Sequence, residues 1–203
     1  MASVYDLKPK FQNLLRPVVR QIAARGVTAN QVTLFAALWS VGHGLLIAFN
    51  PDNRLWFLLL PVTLFARMAL NAVDGMLARE HNQKSRLGAV LNEVSDVISD
   101  AALYLPFALV AGLSPIAAVL SVVLAGLSEM TGVTAVTIGA QRRYDGPMGK
   151  SDRATVYGAL GLLLGLGFQP ADWMVWVQWI IAALLVVTVF NRARRALQTG
   201  SAS

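Results

Sequence analysis

The chain of 203 residues is 56% hydrophobic and 14% charged, carries a formal net charge of +6 and contains no cysteine. So few charges, with a mean hydropathy of +0.56, exclude a disordered chain and speak against an ordinary soluble domain. Without cysteine, neither a disulfide framework nor a thiolate metal site is open to it.

In chain order, residues 1–26 are expected to form an amphipathic helix in the membrane interface. Leu7, Phe11, Leu14, Leu15, Val18 and Ile22 recur at helical spacing, with Lys8, Lys10, Arg16 and Arg20 between them. This polar start does not have the layout of a cleavable signal peptide. Apolar stretches follow at 31–50, 55–79, 88–113, 115–140, 154–168 and 172–191. The expected fold class is all-α integral membrane, six transmembrane helices preceded by the interfacial helix. A single membrane domain is expected, with the interfacial helix at 1–26, the six-helix bundle at 27–195 and a frayed tail at 196–203.

Fifteen of the seventeen Lys and Arg lie before the first stretch, around the 80–87 loop, in the 141–153 loop or after the last stretch. These are alternate connections, so the positive-inside rule places both termini in the cytoplasm. Arg54 lies on the opposite face and Arg67 within a stretch. Topology and anionic lipid account for the net charge, and no nucleic acid partner is expected.

Ionisable groups inside apolar spans are costly and point to function. The second stretch carries Arg67, Asn71, Asp74 and Ala78 at i, i+4, i+7 and i+11, one helix face, and ends Gly75-Met-Leu-Ala78-Arg79. The third carries Gly88, Asn92, Asp96 and Asp100 on another. At about 1.5 Å per residue, Asp74 lies roughly 7.5 Å below Arg79, and Asn71 and Asp96 roughly 12 Å below their loop ends. A short loop makes the two helices antiparallel neighbours, so two acids and two amides converge just beneath the cytoplasmic surface. Clustered carboxylate and amide oxygens suit Mg²⁺ or Mn²⁺. Gly75 and Gly88 leave room for a bulky polar group, and Arg79 offers a fork for phosphate. The plainer alternative is a polar zipper that locks two helices.

These residues resemble the signature of the CDP-alcohol phosphatidyltransferase family, D-x-x-D-G-x-x-A-R, about eight residues, then G-x-x-x-D-x-x-x-D. Asp74, Gly75, Ala78, Arg79, Gly88 and Asp96 match it. Asn71 and Asn92 stand where the family has Asp, and the paired change is similar to a bacterial subgroup. The resemblance implies transfer of a phosphatidyl group from a CDP-linked lipid such as CDP-diacylglycerol to an alcohol acceptor, releasing CMP. It also implies a metal shell of Asn71, Asp74, Asn92 and Asp96, with Asp96 as general base. Asn30, Thr33, Gly75, Ala78, Arg79, Ser85 and Gly88 would contact the substrate. A homodimer in the bacterial inner membrane, with its active site facing the cytoplasm, completes what the resemblance implies. With amides at two positions the shell holds two negative charges instead of four, and Glu93 is an auxiliary acid beside it.

Arg67 and Asp100 lie at equal depth, about 18 Å below their loop ends, and are expected to pair, with Glu129 competing for Arg67. In the 141–153 loop, Lys150 and Arg153 are candidates for a phosphate on the acceptor, opening the next helix. Arg192, Arg194 and Arg195 are expected to anchor the last span, and His43 and His81 to be structural. Two rival readings stand beside transfer: a weak or inactive member that only binds CDP-lipid, and a small membrane transporter.

Overall fold

The computed structural model describes residues 4–199, with side chains described for 11–198. Leu7, Lys8 and Lys10 of the expected amphipathic pattern, and the end of the expected tail, lie outside the described side chains. The elements are α1 (Val4–Ala24), α2 (Ala29–Phe49), α3 (Arg54–Glu80), α4 (Arg86–Tyr104), α5 (Pro115–Thr134), α6 (Lys150–Gly165) and α7 (Asp172–Thr199). Short 3-10 turns at Leu105–Leu109 and Ala135–Ile138 prolong α4 and α5. Among the described residues there is no strand.

Four helices, α2, α3, α5 with its 3-10 turn, and α7, are long and apolar enough to cross a membrane. The other two expected spans fall short for different reasons. The 19-residue α4 carries Glu93, Asp96 and Asp100. The 16-residue α6 rises only about 24 Å against a hydrocarbon core of about 30 Å.

Side-chain polarity sets how the helices pair. Lipid leaves no hydrophobic drive between helices, so small residues and buried polar contacts hold them. α6 packs on α3 because Gly161 and Gly165 let the backbones approach; a Cβ on Gly161 would stand 2.8 Å from Leu60 Cδ2. α2 meets α4 at Gly44, where a Cβ would collide with the Ala102 backbone. Gly44→Leu is therefore expected to cost about 2–3 kcal/mol, because backbone cannot yield as a flexible side chain can. Thermal unfolding in detergent would show it as a lowered midpoint, and an unchanged midpoint would refute this account of the α2–α4 contact.

α1 lies against α3 and the start of α2. Val19 is buried with Ala29, Val32, Val73, Met76 and Leu77, and Leu15, Ile22 and Ala78 pack around them. Arg16 adds a paired contact to Glu80, 3.1 Å at each oxygen, which raises its guanidinium pKa. The pair is exposed and adds little stability. Leu14 and Val18, on the same helix, stay exposed.

The segment between α5 and α6 is pinned. Arg143 N–H donates to Gly132 O at 3.1 Å, and Met148 N–H donates to Thr188 Oγ1 at 3.0 Å. Gly146 takes φ +129°, open to glycine, and a Cβ there would strike Thr188 at 2.6 Å. This segment thus delivers Arg142 and the first residue of α6, Lys150, to fixed positions.

Candidate active site

Capping begins the site. Thr28 and Gln31 close the start of α2 reciprocally, Gln31 N–H to Thr28 Oγ1 at 3.3 Å and Thr28 N–H to Gln31 Oε1 at 2.8 Å. Gln83, in the loop before α4, accepts from Ala29 N–H at 2.7 Å and ties that loop to α2. Ser85 caps α4 by accepting from Gly88 N–H at 2.9 Å. The positive ends of α2 and α4 consequently lie side by side, a setting that favours an anion. Asn30, Ser85 and Gly88 meet there: a Cβ on Gly88 would be 2.7 Å from Asn30 Oδ1 and 3.0 Å from Ser85 Oγ. The Arg79 guanidinium lies over Gly75, where a Cβ would be 3.1 Å from its Nη2. The two signature glycines thus mark the two places where polar groups crowd the backbone.

Below this cradle α3 and α4 face each other through their polar residues. Asn71 Nδ2 donates to Asp96 Oδ1 at 3.1 Å. Asp74 is buried, and its Oδ2 accepts from Thr33 Oγ1 at 2.7 Å, so α2 holds this carboxylate in place. Asp96 also receives the Lys150 ammonium and, at 3.5 Å, Arg67 Nη2. Asn92 lies one turn before Asp96, half-buried. Ala78 departs from its expected role as a substrate contact. It is half-buried and packs against the apolar cluster of Val19, Ala29, Val32, Val73, Met76 and Leu77.

Deeper lies a charge network. Arg67 Nη1 donates to Asp100 Oδ1 at 2.5 Å, and Arg67 Nη2 to the Asp96 carbonyl at 3.0 Å. Arg153 closes on the other Asp100 oxygen, with Nε at 3.0 Å and Nη2 at 2.7 Å, and its Nη2 also reaches Glu129 Oε1 at 3.0 Å. Arg192 Nη1 donates to Glu129 Oε2 at 3.2 Å and to Ser128 O at 2.5 Å. Arg142 Nη2 bridges Glu93 at 2.6 Å and Glu129 at 3.3 Å, while its guanidinium stands 4.5 Å from the Tyr144 ring centre.

Three expectations are corrected by this network. Glu129 does not compete for Arg67; it is held by Arg142, Arg153 and Arg192. Arg153 is 1% exposed and spends its donors on Asp100, Glu129 and Met148 O, so it is not an exposed phosphate contact. Arg192 is 2% exposed and faces inward instead of anchoring the span. A signal for it existed in the sequence. Met174, Gln178, Ile181, Leu185, Thr188, Arg192 and Ala196 are all buried at three- and four-residue spacing, so Arg192 lies on the inner stripe of α7. His43 is structural as expected, between Thr63 Oγ1 at 2.6 Å and Trp56 O at 2.9 Å.

The sequence profile of the CDP-alcohol phosphatidyltransferase family matches residues 26–190. The chain is 48% identical over 198 residues to the inner membrane protein YnbA of Escherichia coli, covering 96% of each chain. It is 30% identical to a phosphatidylinositol phosphate synthase of Mycolicibacterium smegmatis, covering 95% of this chain and 88% of that one. The fold is also that of Mycobacterium tuberculosis phosphatidylinositol phosphate synthase. Its structure with CDP-DAG bound aligns with a TM-score of 0.74 at 21% identity, over 89% of this chain and 92% of that one. Its structure in complex with manganese and citrate aligns with a TM-score of 0.73 at 21% identity, over 89% and 88%. A profile match over most of the chain, with a relative of 30% identity covered almost from end to end, means that the chain belongs to the CDP-alcohol phosphatidyltransferase family.

Proposed function

We propose that the chain transfers a phosphatidyl group from CDP-diacylglycerol, or a similar CDP-linked lipid, to the hydroxyl of an alcohol and releases CMP. The observation that carries this reading is the stacking of two layers: an anion cradle of Asn30, Gly75, Arg79, Ser85 and Gly88, and directly beneath it the carboxylates of Asp74 and Asp96. The CDP-DAG bound to one solved relative supports it. In the proposed step the acceptor oxygen attacks the lipid-side phosphorus as its proton passes to the Asp96 carboxylate. The bond from that phosphorus to the CMP oxygen breaks, and CMP departs with the electron pair. Positioning and charge neutralisation carry such transfers, and both are what the cradle and the polar side chains of α3 and α4 offer.

Asn71, Asp74, Asn92 and Asp96 would supply an all-oxygen donor set of the kind that suits Mg²⁺ or Mn²⁺. Two of the four are amides, and among the described residues no three His, Cys, Asp or Glu side chains gather as metal ligands. A divalent cation held there supplies neutralisation of the diphosphate charge. The manganese in a solved relative supports this choice.

The reading includes six spans, α2 to α7, with α1 in the cytoplasmic interface, and a homodimer in the bacterial inner membrane. The name of the Escherichia coli relative supports that location, and the exposed Leu14 and Val18 of α1 support the interfacial placement. A second reading, a member that binds CDP-lipid without turnover, draws on the two amides and on the Lys150 ammonium already seated on Asp96. Purified protein with CDP-diacylglycerol, a panel of alcohols and Mg²⁺ or Mn²⁺ is expected to release CMP, to stop on chelation with EDTA and to resume on adding back either ion. CMP release by no alcohol in the panel would favour the binding-only reading.

A further inference from the structure

The two carboxylates of the site differ in what already surrounds them. Asp74 is 6% exposed and accepts a hydrogen bond from Thr33, but among the described residues it forms no ion pair with Lys or Arg. A buried carboxylate with no cation beside it is the natural seat of an added one. Asp96 is the reverse. Its Oδ1 receives the Lys150 ammonium, Asn71 Nδ2 at 3.1 Å and Arg67 Nη2 at 3.5 Å. Three N–H donors, two of them charged, cover this one oxygen, whereas among the described residues Oδ2 takes no hydrogen bond.

Position 71 accounts for part of the difference. Two carboxylates facing each other at hydrogen-bond distance need a cation between them, because like charges that close cannot both stay ionised unaided. Here an amide stands at position 71, and its own N–H makes the contact to Asp96. Lys150 accounts for the rest. It is the first residue of α6, whose start is fixed by the pinned segment before it and by Asp152, which accepts from Gly149 N–H at 2.9 Å. Its ammonium is therefore a resident positive charge on Asp96. A carboxylate shared by two divalent ions has to offer oxygen to both, and Oδ1 of Asp96 is already covered. A second ion would also add two positive charges beside those of Lys150 and Arg67.

Resting on the transfer reading above, we infer that the site takes one divalent cation per chain, seated at Asp74, and that Asn71 and Lys150 together occupy the place of a second one at Asp96. Oδ2 of Asp96 stays open to the reaction.

Counting the ions tests this without turnover. Mn²⁺ bound to the purified protein in the presence of CDP-diacylglycerol is measured by equilibrium dialysis and elemental analysis, and one ion per chain is expected. Two per chain would overturn the inference, and CMP release by the same sample would keep the transfer reading intact. No bound ion would overturn the inference as well. One ion per chain with no CMP from any acceptor would count against transfer and leave the ion count standing. Two variants test the roles of the residues. Lys150→Met is expected to bind the single Mn²⁺ about tenfold more tightly, since a positive charge is gone from its neighbourhood. Asn71→Asp combined with Lys150→Met is expected to take up two Mn²⁺ per chain, seen in electron paramagnetic resonance as the spectrum of two coupled ions. A folded double variant that still binds one ion overturns the roles given to Asn71 and Lys150. If the double variant does not fold, Lys150→Met decides alone, and an unchanged Mn²⁺ affinity overturns the inference; its ammonium is only partly buried, so that variant is expected to fold.

Discussion

Asp96→Asn is expected to reduce CMP release by at least about a thousandfold while the protein stays folded and still retains CDP-diacylglycerol. The size follows from the roles that meet on one carboxylate. General-base assistance alone is worth about a hundred- to ten-thousandfold. Asp96 is also one of only two carboxylates among the four oxygen-bearing residues of the proposed metal shell, so its loss removes half of the charge there. Folding is expected to survive because Arg67 and Asn71 lose only one contact and the Lys150 ammonium, which loses its carboxylate, is partly exposed. Arg67 retains Asp100 at 2.5 Å, and Asn is nearly the same size as Asp. The measurements are CMP release by chromatography, lipid retention by co-purified radiolabel, and the thermal midpoint in detergent. A variant that keeps a tenth of the parent rate would remove Asp96 from the proton-transfer step. A variant that loses lipid binding along with the rate would make it a binding residue instead.

The largest expected effect on stability lies deeper. Arg153→Met removes the group that closes on Asp100 with two N–H donors and on Glu129 with one. Both acids then lose one cation in a place where charge is poorly solvated, Asp100 keeping only Arg67 and Glu129 keeping Arg142 and Arg192. Breaking a buried pair from one side costs about 3–5 kcal/mol. For a chain of this length that corresponds to a fall in midpoint on the order of 10 °C. The reverse half of the experiment separates charge from packing. Adding Asp100→Asn to Arg153→Met removes one of the two acids left short of a cation, while Arg67 keeps the Asp96 carbonyl and carboxylate, and is expected to recover part of the loss. Arg16→Ala is the contrast. Its partner Glu80 is a surface contact, and the expected cost is below about 1 kcal/mol. If Arg153→Met and Arg16→Ala prove equally mild, the buried network is not what holds α4, α5 and α6 together.

These two predictions also separate what local pattern can reveal from what it cannot. The convergence of α3 and α4 polar residues was legible. Asn71 and Asp74 recur on one face and Asp96 on another, and helices rise by a constant step; the two helices, expected to be antiparallel neighbours, instead each pack on α2, and their polar side chains reach across between them. The hydrogen bond from Asn71 to Asp96 is the physical counterpart of that arithmetic. The depth match of Arg67 with Asp100 belongs to the same class, because it too compares two helices joined by one loop. Arg153 and Arg192 belong to another class. Their depth was readable, but their partners were not, since these lie on helices far away in sequence.

Composition and periodicity thus determined the all-helical build, the order of the helices and the depth of each polar residue, because all three depend on hydropathy and on a repeat internal to one helix. The tertiary structure decided which cation meets which carboxylate. Glu129 of α5 draws Arg142, Arg153 and Arg192 together only because α5, α6 and α7 are rotated and set in register by close glycine contacts and by the pinned segment between α5 and α6. Rotation and register come from packing between surfaces distant in the chain, and a charged side chain in a low-dielectric interior takes the partner that this packing places within reach.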